Sequence, residues 1–396
     1  MQRQANQPHA ATRDSRIERQ RLKPRDGLTE KAAEVEQVLK SIIEKQKEKK
    51  QEQHEGPQTL SMMLECSCCK QKTRPKGETL ERVLRKSFPV TGYSNTVRWE
   101  PVHWGQLKLL LSEIEFLTPY WGELGYHVIY AGASPGIHMP ILAEMFPDIE
   151  FTLIDPQPSM IAVGEYRKIN VMQDKMTEGL ARSYAESSFQ NKILFISDVR
   201  IGPEDDKETS DEMQRRIHED MMNQQKWLQI MNPVLSILKF RLPWDPPGGK
   251  TSYLDGIVYF PVFGKRLTHE ARLVVNRGAG VIDYDNSLYE GWMAHFNQFR
   301  RPATYNYYGQ KGCFDCTSFR KIVREYLEFT GSPNPSIPRN YDPVNQKCIE
   351  IVTKLKRFQN EWGEMRKDSE PLKNPHRGSG AALRAGLRGS ARRGTA

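Results

Sequence analysis

Apolar positions along the chain follow two spacings. Short β-branched runs bounded by turn residues read as buried strands, and stripes recurring every three or four residues read as helices. Val128–Tyr130 is a run of the first kind. It leads into Ala131-Gly132-Ala133-Ser134-Pro135-Gly136, where two glycines let backbone pass close to a ligand and Pro135 helps stop the strand. Ile137–Met145 then predicts a helix whose first free N–H groups face the same opening, and Phe151–Ile154 a second strand closed by Asp155. Strand, glycine turn, helix and strand make one βαβ half of an open α/β sheet. Such sheets bind ligands beyond the carboxyl ends of their strands.

The same pattern places the other elements. Trp104–Phe116 predicts an amphipathic helix burying Leu107, Leu110, Leu111, Ile114 and Phe116, with Lys108 sharing that stripe. A lysine there can snorkel from a helix edge without any further role. Gly164–Gln190 is polar, with helical periodicity from Thr177. Lys192–Ser197 is a strand closed by Asp198-Val199-Arg200, and Arg215–Met231 a helix. Ser236–Leu242, Leu254–Phe263, Ala271–Asn276 and Ala279–Asp283 read as strands, with Glu270 at the start of the third. Tyr289–Phe299 and Asp315–Leu327 read as helices, and Pro/Asn/Ser-rich Gly331–Pro343 ends the compact domain. The division expected is a basic N-terminal extension over 1–57 with a helix at Ala32–Glu55, a domain over 58–345, a C-terminal helix over 346–370 and a disordered basic tail over 371–396.

Composition sharpens this in several ways. A mean hydropathy of -0.67 is low for a chain of 396 residues, as expected if part of it is tail. The formal net charge of +9 favours acidic partners such as nucleic acid. No apolar run reaches the ~18 residues of a membrane span, and the N-terminus lacks a signal-peptide core. The six cysteines are too sparse for a disulfide-built fold, which favours a reducing compartment. Cys66/Cys69 and Cys313/Cys316 have the C-x2-C spacing of zinc ligands but lie far apart in sequence without supporting histidines. Ordinary thiols are therefore expected, and no metal.

The candidate chemistry sits at strand ends. The glycine turn lacks the full G-x-G-x-x-G fingerprint and contains Pro135, which favours an adenosine cofactor without a pyrophosphate, S-adenosyl-L-methionine before NAD. Asp155 is placed to accept hydrogen bonds from a ribose diol. Asp198, Lys239, Glu270 and Lys108 are two carboxylates and two lysines able to meet in one crevice. Taken singly, each also reads as a strand cap, a structural ion pair or a solvated helix residue.

Five stretches carry a resemblance: Gly105–Glu113, Tyr130–His138, Ile196–Arg200, Asn232–Arg241 and Glu270–Leu273. In that order they resemble the poxvirus cap-specific mRNA 2′-O-ribose methyltransferase family, whose viral member doubles as the small subunit of a poly(A) polymerase. The size and the non-viral extensions look like the kinetoplastid cap 2′-O-ribose methyltransferases similar to it. The resemblance implies an enzyme with a Rossmann-like S-adenosylmethionine-dependent methyltransferase fold, its central and mostly parallel sheet flanked by helices.

It also implies roles. A Lys-Asp-Lys-Glu tetrad falls on Lys108, Asp198, Lys239 and Glu270, with Lys239 as general base toward a ribose 2′-OH and Lys108 lowering its pKa. Cofactor residues fall on Gln106, Gly132, Ala133, Ser134, Pro135, Gly136, His138, Asp155, Asp198, Val199 and Arg200. An m7G cap is a cationic ring suited to stacking between aromatics with acids at its edge. Trp244 and Glu290 match one aromatic and one acid. Pro246 stands where the family has its second acid, so Asp245 is the substitute, and Tyr93 or Trp99 would supply the second aromatic face.

The partner implied is m7G-capped RNA, spliced-leader RNA included, and the compartment the nucleus or else the cytoplasm. Two other readings stay open: a 2′-O-methyltransferase of internal rRNA or tRNA ribose, and a non-catalytic RNA-binding subunit of a poly(A) polymerase.

Overall fold

Strand β1, His127–Ala131, is an interior strand of the sheet that organises the chain. The structure is a computed structural model that describes residues 63–70, 74–77, 79–94, 99–162, 164–200, 209–331 and 342–369. The expected helix at Ala32–Glu55 and the basic tail over 371–396 lie outside the described residues.

Helix α1, Gly105–Leu117, precedes β1, and α2, Met139–Met145, follows it. Then come β2, Glu150–Ile154, β3, Ile169–Met172, α3, Glu178–Ala185, β4, Ile193–Ser197, α4, Ser210–Met231, and β5, Leu235–Phe240. Short strands β6, Lys250–Leu254, and β7, Ile257–Tyr259, lead to β8, Ala271–Asn276, and β9, Val281–Asp285. Helix α5, Asn286–His295, a hairpin of β10, Tyr305–Tyr307, and β11, Gln310–Gly312, then α6, Phe314–Phe329, and α7, Pro343–Ser369, complete it.

Seven strands pair in the order β3-β2-β1-β4-β5-β8-β7. The expected mostly parallel sheet is a mixed one. β3–β2, β2–β1, β1–β4 and β4–β5 pair parallel, whereas β5–β8 and β8–β7 pair antiparallel. Parallel neighbours need a crossover, usually helical; no helix lies between β7 and β8, so they turn back on each other. β6 leaves the sheet to pair with β9, and within the expected strand Leu254–Phe263 only Ile257–Tyr259, β7, joins the main sheet. Edge strand β3 is hidden by its shortness, four residues that are mostly partly exposed.

Alternating strand residues feed two cores. Val128, Tyr130, Phe151 and Ile196 meet α1, α2, α6 and α7 on one face. Ile129, Ala131, Phe195 and Leu238 meet α3 and α4 on the other. Helix α7 begins before the expected 346, and its Val344, Cys348, Ile351, Val352 and Leu355 are buried in the first core. No helix among the described residues is long and apolar enough to cross a membrane.

The two cysteine pairs, far apart in sequence, meet in the fold. The fold lays residues 63–70 against the start of α6, and the Sγ atoms of Cys66, Cys69, Cys313 and Cys316 lie within 4.8 Å of one another. Sequence distance hid what the packing of α6 brings together.

Candidate functional site

The site grows from the register of β5 on β8. Lys239 stands directly across from Arg272, and Glu270 lies two residues before Arg272, on the same face. Asp198 follows β4, its N–H donating to the Ala131 carbonyl at 3.0 Å. Lys108 comes in from the first turn of α1.

Two cations facing each other across a ladder repel unless anions stand between them, and here they do. Lys239 Nζ is 3.3 Å from Asp198 Oδ2 and 3.9 Å from Glu270 Oε2. Arg272 reaches Asp198 Oδ1 at 2.7 Å and Glu270 Oε1 at 3.3 Å, and Lys108 pairs with Glu270. All four tetrad residues foreseen in the sequence therefore meet.

Burial works to raise both carboxyl pKa values. For Asp198 it is outweighed by Lys239, Arg272 and Lys108, and for Glu270 by Lys108, Lys239 and Arg272, so both are held below the ordinary range. Burial pushes the Lys108 amine down, against Glu270, which pulls it up. Three cations and two anions leave the cluster at net +1, able to receive an anion or a polarised hydroxyl.

Arg272, itself buried, was assigned no role from sequence. Its signal is alternation: in Glu270-Ala271-Arg272 the two charged residues share one strand face.

The glycine turn lies beside this cluster. Gly132 has φ +80°, and a Cβ there would stand 2.7 Å from the Val199 amide nitrogen, so only glycine lets the segment after β4 pass. Asp155 accepts from the Ser134 N–H through Oδ2 at 3.1 Å and from the Gln157 N–H through Oδ1 at 2.8 Å. Each oxygen keeps a lone pair for a ligand hydroxyl.

Two expected cofactor residues are engaged elsewhere. His138 is fully buried, donating through Nδ1 to Gln106 Oε1 at 2.8 Å and lying through Nε2 2.9 Å from Glu113 Oε2. Tyr130 donates to Glu113 Oε1 at 2.7 Å. This Gln106–His138–Glu113–Tyr130 chain ties α1 to the glycine turn from behind, so His138 positions the turn and offers no surface to a ligand. Arg200 is turned toward α4, 3.2 Å from the buried Asp220.

Beyond β5 a shallow cleft is lined by Trp244, Asp245, His269 and Glu290, among others. Trp244 is 41% exposed, its ring 5.2 Å from the Arg241 guanidinium and edge-on to His269 at 5.4 Å. Asp245 adopts a left-handed φ of 45°, and Glu290 rises from the first turns of α5. Tyr93 stands behind His269, ring to ring at 4.7 Å and perpendicular, and Trp99 is a core residue near Arg301. The aromatic beside Trp244 is thus His269, which sequence reasoning missed. Burial first, and Arg241 second, push its pKa down to about 4, so the ring is neutral near pH 7.

Sheet order, glycine turn and flanking helices define an α/β fold of the Rossmann-like, methyltransferase-associated kind. Residues 93–355 match the family described as Poly A polymerase regulatory subunit, and the chain belongs to this family. No curated protein matches it by sequence. Among solved structures it is similar to the bluetongue virus protein described as a multifunctional RNA-capping production line, at 11% identity and a TM-score of 0.34. That match covers 61% of this chain, and this chain spans 41% of the viral one. It is also similar to a sugar N-methyltransferase of Streptoalloteichus at 12% identity and a TM-score of 0.19, over 50% of this chain and 85% of that one.

The family corrects the expectation of a methyl-transferring enzyme. Its description is that of a regulatory subunit, consistent with a non-catalytic role.

Proposed function

We propose that the protein is a non-catalytic, RNA-binding regulatory subunit of a poly(A) polymerase that holds RNA by its m7G cap. The observation carrying this reading is the Trp244 cleft: a half-open indole with carboxylates from two separate elements at its rim. N7-methylguanine is a cationic ring, so an aromatic face attracts it and nearby acids bind its edge. His269, neutral and perpendicular to Trp244, adds an aromatic neighbour without adding repulsive charge. The net positive floor around Lys108, Lys239 and Arg272 provides for the phosphates and riboses that follow the cap.

The glycine turn supports a second ligand. Gly132 and Gly136 give a turn of positive φ, and Asp155 retains acceptor capacity at the tip of β2. These residues fit the adenosine end of S-adenosyl-L-methionine, which in this reading is a bound ligand that orders the turn. The location proposed is nuclear, where RNA is capped and polyadenylated.

The test is binding of the purified full-length chain to m7G-capped, G-capped and uncapped RNA of one sequence, followed by anisotropy, with labelled S-adenosylmethionine supplied in parallel. Tighter binding of the m7G form, lost in Trp244→Ala, with no label entering RNA, is the expected result. Equal binding of all three RNAs would remove the cap assignment. Label entering ribose in the wild type but not in Lys239→Ala would overturn the non-catalytic reading.

A further inference from the structure

We propose that Cys66, Cys69, Cys313 and Cys316 bind one structural zinc ion that staples the segment over 63–70 to the start of α6. The site is distinct from the charge cluster and from the Trp244 cleft. Four thiolates at the ordinary zinc–sulfur distance of ~2.3 Å, arranged tetrahedrally, stand ~3.8 Å from each other. The Sγ atoms of Cys66 and Cys313 are 3.8 Å apart, and all four lie within 4.8 Å. Paired cysteines would sit at ~2.05 Å, and all six cysteines are free thiols.

The backbone is built for ligation on both sides. After Cys66 the chain turns tightly, the N–H groups of Cys69 and Lys70 both donating to the Cys66 carbonyl at 3.1 and 3.2 Å. This brings the first C-x2-C pair onto one side of the turn. The second pair spans the start of α6, with Cys313 as its N-cap and Cys316 within its first turn. The Cys313 N–H donates to Cys69 Sγ at 3.4 Å, an arrangement that stabilises a thiolate.

The start of α6 is itself fixed in place. Buried Asp315 accepts from the Phe263 N–H at 3.1 Å and pairs with buried Arg301 at 3.0 Å. Cys66, Cys313 and Cys316 are almost wholly buried, and the positive end of a 16-residue helix faces the anionic cluster. Cys68 and Cys348, also buried, stand outside the cluster and provide internal controls.

Four sulfur donors in a largely buried setting suit zinc in a structural role, with no position left for a substrate. Binding displaces the thiol protons and forms four zinc–sulfur bonds. Cys66 and Cys313 are 247 residues apart, so the ion closes a loop around the entire sheet.

Metal content of the purified full-length chain decides the matter. Mass spectrometry of the metals is expected to find about one zinc per chain, released by a mercurial thiol reagent. Zinc is expected to be lost in Cys66→Ser and Cys316→Ser and retained in Cys348→Ser. Cobalt exchanged into the site should give the visible absorption of a tetrahedral thiolate complex. Chelation should raise hydrogen exchange over 63–70 and 313–316 while the sheet stays protected.

A folded wild-type chain containing no zinc overturns the proposal, whatever the variants do. Iron in place of zinc, or a mass showing two hydrogens lost to a disulfide among these four residues, overturns it as well.

Discussion

The charge cluster under β5 and the cleft around Trp244 are neighbours built on opposite principles. In the cluster every charge already has a partner, with Asp198 and Glu270 shared among Lys108, Lys239 and Arg272 at 2.7 Å and longer where distances are ordinary. In the cleft Trp244 is half open, and Asp245 and Glu290 are exposed. Partnered buried charges are part of the folded core, and removing one leaves the others uncompensated. An exposed ring contributes little to folding and is free to contribute to a ligand. Stability and binding are therefore expected to separate between two sites only one strand apart.

The largest effect that would break this contrast is on stability. Asp198→Ala leaves Lys239 and Arg272 short of an anion and is expected to cost about 3–5 kcal/mol, read by urea unfolding. A loss no greater than that of a surface substitution would show the cluster to be open to water rather than part of the core. Gly132→Ala comes next, at about 1–3 kcal/mol, because a side chain at φ +80° is strained and its Cβ meets the backbone at Val199. Differential scanning calorimetry reads it, and an unchanged melting temperature would mean that the turn relaxes.

Trp244→Ala is expected to weaken binding of an m7G dinucleotide by about tenfold, the ~1–2 kcal/mol of a cation on an indole face. The same variant should unfold within about 0.5 kcal/mol of wild type. Equal losses in both measurements would erase the distinction between the sites.

Acid gives the finest test. Asp198 and Glu270 have folded pKa values below their unfolded ones, near about 4. The stabilisation they bring is complete above that range and is lost as the pH falls through the lowered folded values. A stability profile measured downward from pH 5 should fall more steeply for wild type than for Asp198→Asn. Parallel profiles would exclude these carboxyls as its source.

Much of the fold was legible. Ala271–Asn276 is β8 as its alternation predicts, and the stripe of Leu107, Leu110, Leu111 and Ile114 is the buried face of α1. These are strongly periodic segments where local pattern and tertiary burial agree. Segments failed where the pattern was short or half solvated, as in β3, or where the strand left its sheet, as in β6. Within the candidate site, Lys108, Asp198, Lys239 and Glu270 were legible from order and type, whereas Arg272 and His269 were not. A charged residue inside an apolar strand shows its partners only once the register is known.

The sequence alone determined the strongly periodic strands and helices and the residues that hold charge, because those depend on neighbours within a few positions. It also placed a glycine turn at Gly132 directly after the first strand. Only the tertiary structure decided which charges share a partner, which aromatic stands beside Trp244, and that two cysteine pairs 244 residues apart form one cluster. The reason is physical: β-strand register and helix docking are set by burial summed over the whole domain, and no local spacing records which distant surfaces that burial will press together.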